Sequence, residues 1–153
     1  MAAGKFHWAT TVMKYIATGA IDLQGDAVWA YLLHDGYTPS TASHSAYSDI
    51  SADIATASAT VVNGIALSAK VVTGSGATTV KWDAADIDGF SSDGSTIGSA
   101  KYLALVHQTG TAAARLIGFV DLNTDSADAS VGESTQINIT WPAGGIGKFE
   151  SNP

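Results

Sequence analysis

The stretch "DLNTDSADASVGE", Asp121 to Glu133, spaces oxygen-bearing side chains at Asp121, Asn123 and Asp125 and ends on an acid. Carboxylate and amide oxygens at alternate positions are what a hard divalent cation such as calcium takes as ligands. An EF-hand loop places oxygen ligands at its first, third and fifth positions, glycine at the sixth and a bidentate glutamate at the twelfth. Here the sixth position is Ser126 and the twelfth Gly132, with Glu133 one residue late. The flanks "RLIGFV" and "TQINITW" are β-rich, where an EF-hand needs helices. The expectation is therefore a polar hairpin loop. Asp121, Asn123 and Asp125, with Asp128 beside them, stay as the candidates for a looser oxygen cage.

Other chemistry is sparser. Nucleophilic hydrolysis on an α/β fold is marked by G-x-S-x-G, which the chain lacks; "GSG" at Gly74 to Gly76 is too short. The four histidines, His7, His34, His44 and His107, share no ligand spacing such as H-x-x-x-H and are expected at the surface or in packing roles. "PAGGIGKF", Pro142 to Phe149, has the glycine-lysine pair of a phosphate-cradling loop. Pro142, however, stands where the first glycine must be, and Phe149 where Ser or Thr must hold magnesium. A terminal turn that packs Ile146 and Phe149 is expected instead. Asp83, Asp86 and Asp88 beside Trp82 have the parts of a glycosidase site, yet acids in a turn-rich stretch ordinarily face solvent. "NIT" at Asn138 matches a glycosylation sequon, which has no physical meaning without a signal peptide. No catalytic residue, metal or cofactor is expected.

Composition sets the elements that would hold any such group. A chain of 153 residues with 46% apolar content can bury one sizeable core and is short for two, so residues 1–153 are expected to form a single domain. Charged residues make up 14%, against about 25% in average soluble proteins. Ala, Ser, Thr and Gly abound, which suits β structure with many turns and a broad contact surface in an assembly. The formal charge is −7, and the seven basic residues are scattered from Lys5 to Lys148. Phosphate binding needs a concentrated basic face, so no nucleic-acid partner is expected. Without cysteine there is no disulfide framework and no thiolate chemistry, as fits synthesis in a reducing cytoplasm. "MAAGKFHWATTVMKYIATG" lacks the continuous apolar region of a signal peptide. No stretch approaches about eighteen consecutive apolar residues, so no membrane partner is expected.

Trp8, Val12, Tyr15 and Ile16 recur at helical spacing, and Gly19 stands where a left-handed residue would end the turn. One short helix is predicted within the N-terminal segment 1–24, its aromatic stripe packed on the core. After the Gly25-Asp26 turn, "AVWAYLL" (Ala27 to Leu33) is apolar on both faces, as in a buried central strand. The polar excursion that follows, residues 35–60 with Pro39, predicts an extended loop or arm available to a neighbour. Strands are predicted at Gly64 to Val72 and Ala77 to Trp82, with a tight reversal at "TGSG". Asp83 to Ser99 is turn-rich, with Ile87 and Phe90 as anchors. "AKYLALVH" (Ala100 to His107), "RLIGFVDL" (Arg115 to Leu122) and "TQINITW" (Thr135 to Trp141) complete the strands, the last with a clean alternation of Ile137, Ile139 and Trp141 against polar residues. Six or more strands with one early helix and no βαβ rhythm predict a mainly β fold: an antiparallel β-sandwich with one short N-terminal helix and long loops.

The ordered set "GAIDLQGDAVWAYLL", "YTPS", "YSDI", "NGIALSAKVVT", "VKWDAADI", "AKYLALVHQTGTAAARLIGFVDL" and "ITWPAGGIGKF" resembles small virion structural proteins of tailed bacteriophages, over nearly the whole chain. The resemblance implies a β-sandwich module repeated on the phage particle. It points to a capsid decoration, or cement, protein on the capsid surface, with a tail or neck component as the alternative. The implied partners are the major capsid protein and copies of the chain itself, in a trimer or other ring-like homo-oligomer. No catalytic residue comes with it. The "SSDGSTIGS" segment and the acidic "NTDSADASVGE" loop depart from the pattern and are where contacts specific to one virus would lie. The expected contact elements are the early aromatic segment with Phe6, Trp8 and Tyr15, the arm from Tyr37 to Ile50 with Pro39 and Tyr47, and the tail after Gly147 with Phe149. The competing reading is a carbohydrate- or host-surface-binding β-sandwich module. An exposed Trp82 would support it; burial of Trp8, Trp29, Trp82 and Trp141 would weaken it.

Overall fold

A computed structural model describes residues 3–55, 64–74, 79–91, 100–107, 114–122 and 136–150. Its centre is the antiparallel trio β2 (Val28–His34), β7 (Ala100–His107) and β8 (Arg115–Asp121), whose residues are apolar on both faces and buried nearly throughout. β1 (Phe6–Trp8) and β3 (Ile65–Ala66) extend this sheet to the order β1-β8-β7-β2-β3. A second sheet joins β4 (Val71–Thr73), β5 (Thr79–Asp83) and β10 (Gly147–Glu150) in the order β10-β5-β4; β6 (Ile87–Ser91) and β9 (Gln136–Ile139) form a third pair. Every strand pairing among the described residues is antiparallel. The protein is thus mainly β, a sandwich with, among the described residues, one short α-helix, α1 (Val12–Ala17).

Register assigns the faces, because directly opposed residues point the same way. Phe6, Val120, Leu103 and Leu32 form one row across the large sheet, and Trp8, Gly118, Leu105, Ala30 and Ile65 the next. These rows face the small sheets. Trp82 of β5 is fully buried there, 6.1 Å from the Phe6 ring and 5.9 Å from that of Trp8, and its Nε1–H donates to the Leu23 carbonyl at 3.1 Å. Burying such a side chain stabilises the fold by about 1.5–3 kcal/mol. Gly118 is required by this packing: a Cβ there would lie 2.3 Å from the His7 carbonyl oxygen and 2.6 Å from the Phe6 ring.

On the opposite face, His7, Phe119, Ala104 and Tyr31 form one row, with Tyr102 and Leu33 beside it. The chain covers this face itself. Tyr47 N–H donates to the Ala114 carbonyl at 2.8 Å, and the Ser45 carbonyl accepts from Leu116 N–H at 2.9 Å, which pins one end of the segment to the start of β8, beyond the reach of β1. Ala55 N–H donates to the Leu32 carbonyl at 2.9 Å, which pins the other end to β2. Between them two short 3-10 turns, Tyr47–Asp49 and Ser51–Asp53, cross the sheet with Ile50 wholly buried beneath. Asp49 Oδ2 accepts from the N–H groups of Ser45 (2.7 Å) and Ala46 (2.9 Å), and these bonds hold its carboxyl below the usual carboxylate range. The predicted arm is therefore, over residues 45–55, a strap on its own sheet; residues 56–60 lie outside the described residues.

Other boundaries move as well. Helical spacing through Trp8 predicts a helix beginning too early: Trp8 pairs with Gly118 as part of β1, and the helix occupies only Val12–Ala17. Gly19, at φ +71°, follows its last turn as expected. The glycine-rich C-terminal stretch contains strand β10 rather than only a turn, and Ile87 and Phe90 are buried anchors as predicted, but inside strand β6.

Candidate functional site

The turn Asp22–Asp26 ties the layers together. Asp26 N–H donates to the Asp22 carbonyl at 2.9 Å, Asp22 N–H to Asp26 Oδ2 at 2.8 Å and Gln24 N–H to Asp22 Oδ1 at 2.9 Å. Asp26 Oδ2 also lies 2.9 Å from Nε2 of the buried His107 on β7. The Asp22 N–H foremost lowers the Asp26 carboxyl from its ordinary value; burial opposes it, and His107 adds to the lowering. On its other side the turn reaches the second sheet: the Leu23 carbonyl receives Trp82 Nε1–H, and Gln24 Oε1 receives Val72 N–H at 3.2 Å.

This turn is the floor of an open groove of about 740 Å³. One wall is α1, through Met13, Ile16 and Ala17; the other is the small sheet, through Val72, Val80 and Phe149. Register places Val72, Val80 and Phe149 on the same face as Trp82. The large sheet and its attachments bury Trp82 and partly cover Phe149, but leave Val72 and Val80 exposed. Among the described residues, four large apolar side chains are exposed, and three of them line this groove: Met13 at 43%, Val72 at 37% and Val80 at 36%. Among the described residues Asp22 is the one charged side chain in the lining, and its Oδ1 already accepts the Gln24 amide. The groove thus offers aliphatic surface and no paired acid, base or nucleophile, a composition suited to contact with another apolar surface.

The residues singled out by sequence fall into three places. Phe6, Trp8 and Phe149 converge with Trp82 inside the sandwich: Trp8 lies 4.7 Å from Phe6 and 4.5 Å from Phe149, ring to ring. Tyr37, Tyr47 and Ile50 belong to the cover of the large sheet, with the Tyr47 ring 5.2 Å from Tyr31 and the Tyr37 ring 5.8 Å from Phe119. Burial pushes the Tyr31 hydroxyl up to about 12 and raises that of Tyr37 further. Tyr15 lies under the Arg115 guanidinium, 4.0 Å from its ring centre, and Pro39 borders a shallow depression with His7, Tyr102 and Phe119. These aromatic side chains serve the chain's own packing. The groove residues Met13, Val72 and Val80 were not anticipated; the available signal was a short hairpin with valines on both faces.

Asp121 ends β8, and its carbonyl accepts Gly4 N–H at 2.7 Å; Asn123, Asp125 and Asp128 lie outside the described residues. Among the described residues, no three metal-ligating side chains gather. Asp83 pairs with Lys81 at 3.1 Å, and Asp86 Oδ1 accepts the Trp141 N–H at 2.9 Å, so both acids have structural partners. Tyr37 O–H and, at 3.3 Å, Ser40 N–H both point at Nδ1 of His44, which fixes that nitrogen as the acceptor. His34 Nε2 meets Asp53 Oδ1 at 3.1 Å. Trp82 and Trp141 are buried with their indole N–H groups bonded, and Trp8 and Trp29 are half-buried.

Comparison with models of protein families, with curated proteins and with solved structures finds no match for this chain in any of the three.

Proposed function

We propose that the chain is a structural protein of a tailed-bacteriophage particle, a capsid decoration protein that binds the outer shell and strengthens it. A tail or neck position is the alternative within the same class. The observation that carries the reading is a β body in which, among the described residues, three of the four exposed large apolar side chains line one open groove. The sequence resemblance supplies the setting. Cementing needs a rigid module, apolar surface to bury across subunit boundaries, and repetition around a symmetry axis that multiplies modest contacts. Each apolar Å² removed from water contributes about 25 cal/mol before the costs of association. The partners on this reading are the major capsid protein and further copies of the chain in a ring-like homo-oligomer. The burial of Trp82, whose exposure would have supported a sugar-binding module, favours the structural reading.

Electron microscopy of purified particles tests the proposal. Density for this fold on the shell face is expected, together with lower heat resistance of particles made without the chain. Its appearance in the tail or neck selects the alternative, and its absence from particles removes the reading.

A further inference from the structure

The groove has a second property, at the backbone. β4 is an edge strand, and Val71, Val72 and Thr73 are all exposed. None of the three is charged or proline, the residues that ordinarily guard an edge. Val72 N–H points away from β5 and donates to Gln24 Oε1, an exposed side-chain amide standing where the carbonyl of a further strand would lie. The turn carrying Gln24 is closed by its own bonds among Asp22, Gln24 and Asp26, so the Gln24 side chain can swing away without opening it.

We propose that β4 and the groove beside it receive an extended segment of a partner protein, added to the small sheet as a fourth strand. Its aliphatic side chains enter between Met13 and Val80, and a basic side chain meets Asp22. The β4 edge, where the outward Val72 N–H is held only by the exposed Gln24 side chain, selects an extended occupant, since main-chain pairing is what strand addition supplies. The aliphatic walls select its inward residues. Charge complementarity selects its flank, because the lining's one charged residue is acidic and the chain carries −7.

The biological setting of this inference rests on the virion reading, but its physical test needs no particle. A short synthetic peptide alternating valine and lysine is titrated against the full chain. A second peptide has glutamate for lysine, and a third is N-methylated along its pairing edge. The first is expected to bind saturably, the second about tenfold more weakly, and the third not at all. Gln24→Ala, which frees Val72 N–H, should tighten binding severalfold; Val80→Asp should weaken it about tenfold or more with an unchanged thermal transition. No binding of the valine-lysine peptide, or equal binding of the N-methylated one, overturns the proposal. So does concentration-dependent self-association of Gln24→Ala, which would assign the edge to a second copy. Peptide binding by a chain found on no particle removes the virion reading alone; particle attachment unaffected by Val80→Asp removes the present inference alone.

Discussion

The outer face of the large sheet and the inner face of the small sheet are both apolar, and they are treated differently. The first is closed by residues 45–55, bonded through the backbone at both ends and filled by Ile50 and Tyr47. The second is filled where Trp82 lies and left open where Val72 and Val80 lie. The difference separates stability from availability. Side chains beneath the strap hold the fold, whereas those in the groove are spared from it and can be spent on contact with another molecule.

That contrast orders the effects of mutation. Trp82→Ala, which empties the fully buried centre and breaks the bond to Leu23, should cost about 3–5 kcal/mol in chemical denaturation. Ile50→Ala beneath the strap should cost about 3 kcal/mol, and a loss near zero would show that the strap is not part of the cooperative unit. Gly118→Ala should cost about 1–3 kcal/mol, because its Cβ meets the His7 backbone and the Phe6 ring together. The pH response is smaller. Asp26 has a depressed folded pKa, so its contribution is present above the unfolded value, about 3.8, and is lost as pH falls through and below it. Acid titration of the melting temperature should show that loss, and Asp26→Asn should flatten it. Met13→Gln or Val80→Ser in the groove should change stability by less than about 0.5 kcal/mol; a larger effect would mean that the groove is part of the core after all.

The sequence made the central strands legible because their signals are local. Runs such as "AVWAYLL" and "AKYLALVH" are apolar on both faces, and Ile137, Ile139 and Trp141 alternate as a strand with one wet face should. β1 and β10 were hidden because partners far along the chain define them. Phe6–Trp8 is a strand because β8 pairs with it, and Gly147 fits its strand because the Trp8 ring lies over it, 2.6 Å from where a Cβ would sit. The strap was unreadable for a similar reason: its polar composition is real, but Ile50, Ile54 and Ala55 point inward once both ends are bonded. The groove was less legible still. Met13 and Val80 look like ordinary core residues until α1 and the small sheet are placed and found not to meet.

The two ends of the described chain lock each other. Ala3 N–H donates to the Thr140 carbonyl at 2.8 Å, and Trp8 stacks near Phe149 while its Nε1–H reaches the Lys148 carbonyl, 140 residues later. A ribosome adds about 5–20 residues per second, so Trp8 waits on the order of ten seconds for its cover to be made. During that interval the aromatic cluster is incomplete and sticky. Changes at Lys148 or Phe149, which prolong that exposure, should appear first as insoluble product during expression.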